Sequence, residues 1–316
     1  MVSILVPAYN EEEVIRKFYS ETCKIIDKIE DENFEFLFIN DGSHDNTLNI
    51  LKELRQNDKR VTYIDLSRNY GKEIAMAAGF DYVKGDAVII MDADLQDPPS
   101  LIPELIREWK TGKYDDVYAK RRSRKGETWL KKFTSKMYYR MLSKFSGKVE
   151  IQVDTGDFRL LDRKAIDAIK QYKETHRYTK GMFSLIGFKK KEVLFDRDPR
   201  AAGKTKWNYS KLFNLAIEGF TSFTTMPLKI ATFFGFFISL FAFIYAIYII
   251  VKTISMGNGV PGYPSIMVVM LFLGGIQLLS IGIIGEYLGR IFDETKKRPL
   301  YFINDYISND KVIEDK

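Results

Sequence analysis

Two runs in the last third of the chain, residues 228–251 and 265–288, are apolar on all faces. The first carries a single charge, Lys229 near its start, and the second only Glu286 near its end. A helix that is apolar all round belongs in a core or in a bilayer. Each run has about the 20 residues that a hydrocarbon core requires. The sequence therefore predicts membrane helices over residues 228–252 and 265–289. Their link is short, rich in Gly and Pro, and free of Lys and Arg, whereas Lys204, Lys206 and Lys211 flank one side and Arg290, Lys296, Lys297 and Arg298 the other. The positive-inside rule then places the hairpin loop outside, and the preceding domain and the tail at 290–316 in the cytoplasm. Gly274, Gly275, Gly282, Gly285 and Gly289 lie along the second run. Small residues allow close helix approach in lipid, within the hairpin or as the seam of a homo-oligomer.

The remainder reads differently. Of 316 residues only Cys23 is a cysteine, so no internal disulfide forms and a reducing compartment is expected. The chain shows no signal peptide; its first residues read as a strand. Strand patterns at 3–7, 35–40, 61–66, 87–91 and 116–118 alternate with helical spacing at 11–29, 46–57, 72–83 and 99–110. This rhythm predicts an α/β domain, a Rossmann-like, mostly parallel doubly wound sheet over residues 1–205. Such sheets bind ligands beyond the C-terminal ends of their strands.

Polar groups gather at those ends. The first strand leads into Pro7-Ala8-Tyr9-Asn10-Glu11-Glu12, the second into Asn40-Asp41-Gly42-Ser43, the third into Asn69-Tyr70-Gly71-Lys72, and the fourth into Asp92-Ala93-Asp94. If the fourth run is a strand through its end, Asp92 and Asp94 leave on one side, since alternate residues share a face. Two hard oxygen donors suit a divalent cation that completes its shell with phosphate oxygens. A bare Asp-x-Asp is more commonly a solvated turn; its place after an apolar strand favours the site. Neither a P-loop nor a Gly-x-Gly-x-x-Gly fingerprint is present.

Residues 126–148 form a basic amphipathic pattern, with Trp129, Phe133, Met137 and Met141 on one face and Lys132, Lys136, Arg140 and Lys144 on another. It suits an anionic bilayer surface or an ordinary solvated helix. Charge alone would also fit nucleic acid, but a membrane hairpin in the same chain favours lipid. Residues 206–227 form a second amphipathic stretch leading into the first apolar run.

The motifs at the first, second and fourth strand ends, with Thr155-Gly156-Asp157-Phe158-Arg159, Arg200-Ala201-Ala202-Gly203-Lys204-Thr205-Lys206-Trp207 and the paired apolar runs, resemble glycosyltransferase family 2. Within it the chain is similar to polyisoprenyl-phosphate glycosyltransferases, namely bactoprenol glucosyltransferases and dolichol-phosphate mannose synthases. The resemblance implies an inverting, metal-dependent transfer of one hexose from a nucleotide diphosphate sugar to polyprenyl phosphate at the cytoplasmic leaflet, feeding cell-envelope glycosylation. It favours UDP-glucose as donor and undecaprenyl phosphate as acceptor, with UDP-N-acetylglucosamine and GDP-mannose open. Pro7, Tyr9, Glu11, Asp41, Lys72 and Asp92 would hold the donor nucleotide. Asp92 and Asp94, helped by Gln96, would place Mg²⁺ or Mn²⁺. Asp157 would act at the reacting centre as base or orienting group. Arg121, Arg124, Arg200 and Lys206 would clamp the acceptor phosphate, a task for which guanidinium geometry is suited. Arg163 reads as structural, His44 as a turn residue, and His176 receives no role. A rival is a scaffold or lipid-translocation subunit with a dead sugar-binding domain.

Overall fold

The structure, a computed structural model, describes residues 1–122, 155–195, 226–256 and 262–308. Its centre is an eight-stranded sheet in the order β7-β5-β6-β4-β1-β2-β3-β8. β1 (Val2–Ala8), β2 (Phe34–Asn40), β3 (Val61–Leu66) and β4 (Ala87–Ile90) are mutually parallel neighbours. They are nearly continuous apolar runs because both faces of a parallel sheet are covered. α1 (Ile15–Ile26), α2 (Thr47–Asn57) and α4 (Ile102–Lys110) cover one face through Phe18, Leu51 and Leu105. α3 (Lys72–Tyr82), α5 (Arg163–Ile169) and α6 (Thr179–Leu185) cover the other through Met76, Ile166 and Phe183.

Three strands depart from simple alternation. β5 (Asp116–Arg121) and β7 (Lys190–Phe195) run parallel to each other, while β6 (Thr155–Asp162) is antiparallel to both β4 and β5. At the opposite edge β8 (Ile303–Ile307) pairs antiparallel with β3. The expected helix at 11–29 begins only at Ile15, because residues 10–14 turn: Asn10 has φ 54°, and the Glu11 N–H is taken by Thr47 Oγ1 at 2.9 Å.

The apolar runs form α7 (Met226–Met256) and α8 (Tyr263–Thr295). Their most apolar windows, Leu228–Tyr245 and Phe272–Thr295, have mean hydropathy 1.9 and 1.4 and contain no buried residues. Phe233, Phe241, Leu278 and Ile284 are exposed, so these are not core helices. Each is long and apolar enough to cross a membrane, and together they make a membrane-associated hairpin.

Residues 290–308 of the segment expected as a tail at 290–316 are built into the fold. Its first residues are the last turns of α8, whose Asp293 meets His176 Nε2 at 3.0 Å and whose Glu294 accepts the Thr175 N–H at 2.7 Å. His176 thus has a partner 117 residues away. The chain then re-enters the sheet as β8, so the α/β domain is not complete at residue 205. This strand has little local signature, since Ile303-Asn304-Asp305-Tyr306-Ile307 is short and carries its polar residues in the middle.

Candidate active site

The β4–β6 register builds the site. Ile90 pairs with Arg159 in an antiparallel ladder. Two residues beyond this pair stand Asp92, in the turn that follows β4, and Asp157, near the start of β6. Lys72, the first residue of α3, bridges them, with Nζ 2.5 Å from Asp92 and 2.7 Å from Asp157. The Asp157 side chain is only 10% exposed, and its Oδ1 has no hydrogen-bond partner among the described residues. Desolvation opposes ionisation of Asp157, yet Lys72 and the nearby Lys180 and Arg159 outweigh it and hold its pKa below the usual carboxylate range. Desolvation likewise disfavours the Lys72 ammonium, but Asp157 and Asp92 raise its pKa well above the ordinary lysine value. The pair is therefore fully charged at neutral pH.

Glu73, next to Lys72, behaves oppositely. Burial and the charge of Asp157 push its carboxyl up, although it accepts the Thr179 N–H at 2.9 Å and the Thr179 hydroxyl. This anchor between α3 and α6 joins residues 106 positions apart, and no sequence pattern announced it.

Beside this cluster a cleft of about 260 Å³ opens at the C-terminal edge of the parallel strands; Lys72 and Asp92 line it, and Asp157 is not among its lining residues. Pro7, Tyr9 and Glu11 line it from β1, Asp41 from β2, Lys72 from α3, and Asp92 and Asp94 from the turn after β4. Asn69, Gly71 and Ala75 add a wall that the expected site lacked; the polar turn after β3 was its signal. Asp41 is buried and accepts N–H groups from Tyr70 at 2.7 Å and Gly71 at 2.9 Å, fixing that wall. Desolvation raises the Asp41 pKa against these two bonds. The facing loops are laced together: the Asn10 N–H donates to Ser43 Oγ at 3.0 Å and the His44 N–H to Asn10 Oδ1 at 2.9 Å. His44 is a turn residue whose ring meets the Tyr9 ring edge-on at 6.4 Å.

The geometry of the acidic pair differs from the expected strand alternation. β4 ends at Ile90, and Asp92 and Asp94 sit in a turn that includes Leu95 at φ 58°. The turn brings both carboxylates to the cleft, whereas Gln96 is not among its lining residues; its backbone N–H donates to Asp94 Oδ1 at 3.1 Å. Among the described residues no cluster of three His, Cys, Asp or Glu side chains could hold a metal ion by itself. Two carboxylates at an open cleft fit a hard divalent cation whose remaining ligands come from a bound diphosphate and water.

Arg121 ends β5, outside the cleft lining. Arg124, Arg200, Lys206 and the amphipathic stretches 126–148 and 206–227 lie outside the described residues. Arg163 is structural, donating to the Val83 carbonyl at 3.3 Å and to that of Gly85. Arg159 is fully buried, with NH1 2.9 Å from Asp116 and its guanidinium 3.8 Å from the Phe183 ring centroid.

A mostly parallel sheet with an acidic, lysine-bridged cleft at its strand ends and an apolar hairpin appended defines a membrane-associated α/β enzyme. Residues 3–170 match the glycosyl transferase family 2 model and residues 226–291 the GtrB C-terminal hairpin. The chain belongs to glycosyl transferase family 2 and is a glycosyltransferase. It is 50% identical over 304 residues to an uncharacterized glycosyltransferase of Synechocystis sp., covering 96% of this chain and 95% of that one. It is 45% identical to the prophage bactoprenol glucosyl transferase homolog of Escherichia coli, covering 96% and 98%, and 44% identical to the bactoprenol glucosyl transferase of Shigella phage SfX over the same shares. Among solved structures, glucosyl-3-phosphoglycerate synthase from Mycobacterium tuberculosis in complex with Mn²⁺ and UDP-glucose has 17% identity and a TM-score of 0.47, covering 69% of this chain and 75% of that one.

Proposed function

We propose that the protein transfers a single hexose, with inversion, from a nucleotide diphosphate sugar to polyprenyl phosphate at the cytoplasmic face of the membrane. The observation that carries this reading is the Lys72–Asp92–Asp157 cluster, whose Lys72 and Asp92 line a strand-end cleft, on the same chain as an exposed apolar hairpin. The relatives named bactoprenol glucosyl transferase support glucose as the sugar and bactoprenol, a polyprenyl lipid, as the acceptor. UDP-glucose is accordingly the proposed donor and undecaprenyl phosphate the proposed acceptor.

In this reading Pro7, Tyr9, Glu11 and Asp41 hold the nucleoside, and Lys72 and Asp92 face the diphosphate. Asp92 and Asp94 would hold Mg²⁺ or Mn²⁺, and the cation would neutralise charge on the departing nucleoside diphosphate. An acceptor phosphate oxygen bonds to the anomeric carbon from the face opposite the leaving group, as the bond from that carbon to the donor phosphate oxygen breaks. A phosphate monoester, with its second pKa near 6, is largely dianionic at neutral pH. It has no proton to lose, so a general base is dispensable. Asp157, ionised but locked to Lys72, is suited to orienting that lysine and the acceptor rather than to proton abstraction. Arg121, Arg124, Arg200 and Lys206 are proposed as the acceptor clamp. The hairpin keeps the cleft at the headgroup layer, with the domain and the end of α8 on the cytoplasmic side.

The test is nucleotide release by the purified full chain in lipid vesicles, with UDP-glucose, UDP-N-acetylglucosamine and GDP-mannose, each with and without polyprenyl phosphate. Lipid-dependent UDP release from UDP-glucose is the expected result. Turnover with another of these donors corrects the sugar; no lipid-dependent turnover with any of them favours the scaffold.

A further inference from the structure

Asp65, near the end of β3, is 5% exposed. One of its carboxylate oxygens accepts from the Asn40 amide at 2.6 Å and the other from the Asn304 amide at 2.8 Å. Asn40 is the last residue of β2 and directly precedes Asp41, which grips the cleft wall through the Tyr70 and Gly71 N–H groups. Asn304 comes from β8, laid down after the chain has returned from the hairpin. The β3–β8 ladder pairs Asp65 with Asp305 and Leu66 with Ile303, so Asn304 is the extra residue of a β-bulge. Bulges re-aim side chains beside functional sites, and this one turns the Asn304 amide to Asp65. One residue past β3, the Ser67 N–H donates to the Phe302 carbonyl at 3.0 Å, fixing the start of the wall loop from its outer side.

We infer that Asn304 is a positioning residue for the donor nucleotide, acting through Asp65 and Asn40 on Asp41, and that the strand after the membrane hairpin completes the donor site. This rests on the reading of the cleft as a nucleotide site. The relay is a closed set of directional bonds. Asp65 ties the ends of β2 and β3 to β8, and Asp41 ties the end of β2 to the loop after β3. Loosening the β8 bond frees the loop that carries Asn69 and Gly71 into the cleft.

The test uses the full chain in detergent, with UDP and GDP in the presence of Mn²⁺ as calorimetric probes, beside donor and acceptor KM in vesicles. Asn304→Leu removes the amide donor and should weaken UDP binding and raise donor KM on the order of fivefold or more, leaving acceptor KM unchanged. Asn304→Asp sets two carboxylates against each other and should do more damage. Combining Asn304→Asp with Asp65→Asn reverses the polarity of the bond and preserves an acceptor for Asn40, so affinity should return to within about threefold of the unaltered chain. A lowered unfolding temperature with unchanged UDP affinity in the single variants would show a merely structural contact and overturn the inference. So would a change in acceptor KM instead of donor KM, or failure of the double variant to rescue a chain that still folds. If the unaltered chain binds neither nucleotide, the reading of the cleft itself fails, and the inference falls with it.

Discussion

Lys72 Nζ lies 2.7 Å from Asp157, and the two hold each other charged beside the cleft that Lys72 lines. The lowered pKa of Asp157 means that its stabilising contribution is present above the ordinary carboxylate value of about 3.9 and is lost as pH falls through the depressed folded value. The raised pKa of Lys72 means that its contribution is complete below about 10.4 and is lost as pH rises through the raised folded value. Neutral pH lies inside both windows. The pH profile of kcat/KM between about pH 5 and 8 should therefore carry no limb from Asp157. Its acid limb should follow the second ionisation of the acceptor phosphate, near pH 6. Profiles measured with two acceptors of different second pKa decide this; a limb that stays put assigns a proton to the enzyme and restores Asp157 as a candidate base.

Asp94→Ala should abolish transfer while leaving the fold intact, because Asp94 lines the cleft from a turn and not from the core. The expected loss is about a hundredfold or more in kcat, the scale of removing stabilisation at a developing charge. Activity measured across a Mn²⁺ titration, with circular dichroism as the folding control, checks it. Near-normal turnover of this variant, or of the unaltered enzyme in excess EDTA, would falsify metal dependence.

Arg159 and Asp116 are both completely buried, and Asp116 Oδ1 has no hydrogen-bond partner among the described residues. Arg159→Leu would strand a buried carboxylate and should cost about 3–5 kcal/mol of stability. Burial already pushes the Asp116 carboxyl up against the opposing pull of Arg159, so without the guanidinium it should titrate higher still. Adding Asp116→Leu should recover much of the loss, since an apolar pair can replace a buried ion pair. Denaturant unfolding of the three proteins gives the comparison; a single variant as stable as the parent would remove Arg159 from the framework.

Gly42 has φ +63°, and a Cβ there would stand 2.5 Å from the Asn69 backbone nitrogen. Gly42→Ala combines left-handed backbone strain with a collision against the loop that Asp41 holds. It should cost about 2 kcal/mol or more and weaken nucleotide binding by moving Asn69 and Gly71. Unfolding measurements with UDP calorimetry test both effects; a loss of stability without a loss of affinity would mean that this loop does not shape the nucleotide site.

Much of this protein was legible locally. The parallel strands at 3–7, 35–40, 61–66 and 87–91 appear as β1 to β4 within a residue or two, because strands buried on both faces must be apolar throughout. The hairpin was legible for a similar reason, since a helix surrounded by lipid has no polar side to show. Pro7, Tyr9, Glu11, Asp41, Lys72, Asp92 and Asp94 all line one cleft, as the rule for strand ends anticipated.

What the sequence determined by itself was thus the identity of the buried runs and the chemistry placed at their ends, since both follow from local polarity and period. Tertiary structure alone decided which distant residues complete that chemistry. The antiparallel pairing of β4 with β6 brings Asp157 to the turn that carries Asp92, and Lys72 of α3 bridges the two. Thr179 reaches Glu73, and a strand that follows the membrane hairpin returns to hold Asp65. Apart from Lys72–Asp92, these bonds join groups 85 to 239 positions apart. Hydrogen bonds and ion pairs of that kind leave no period in a sequence, because they depend on where folded elements bring single side chains and not on the pattern within any one of them.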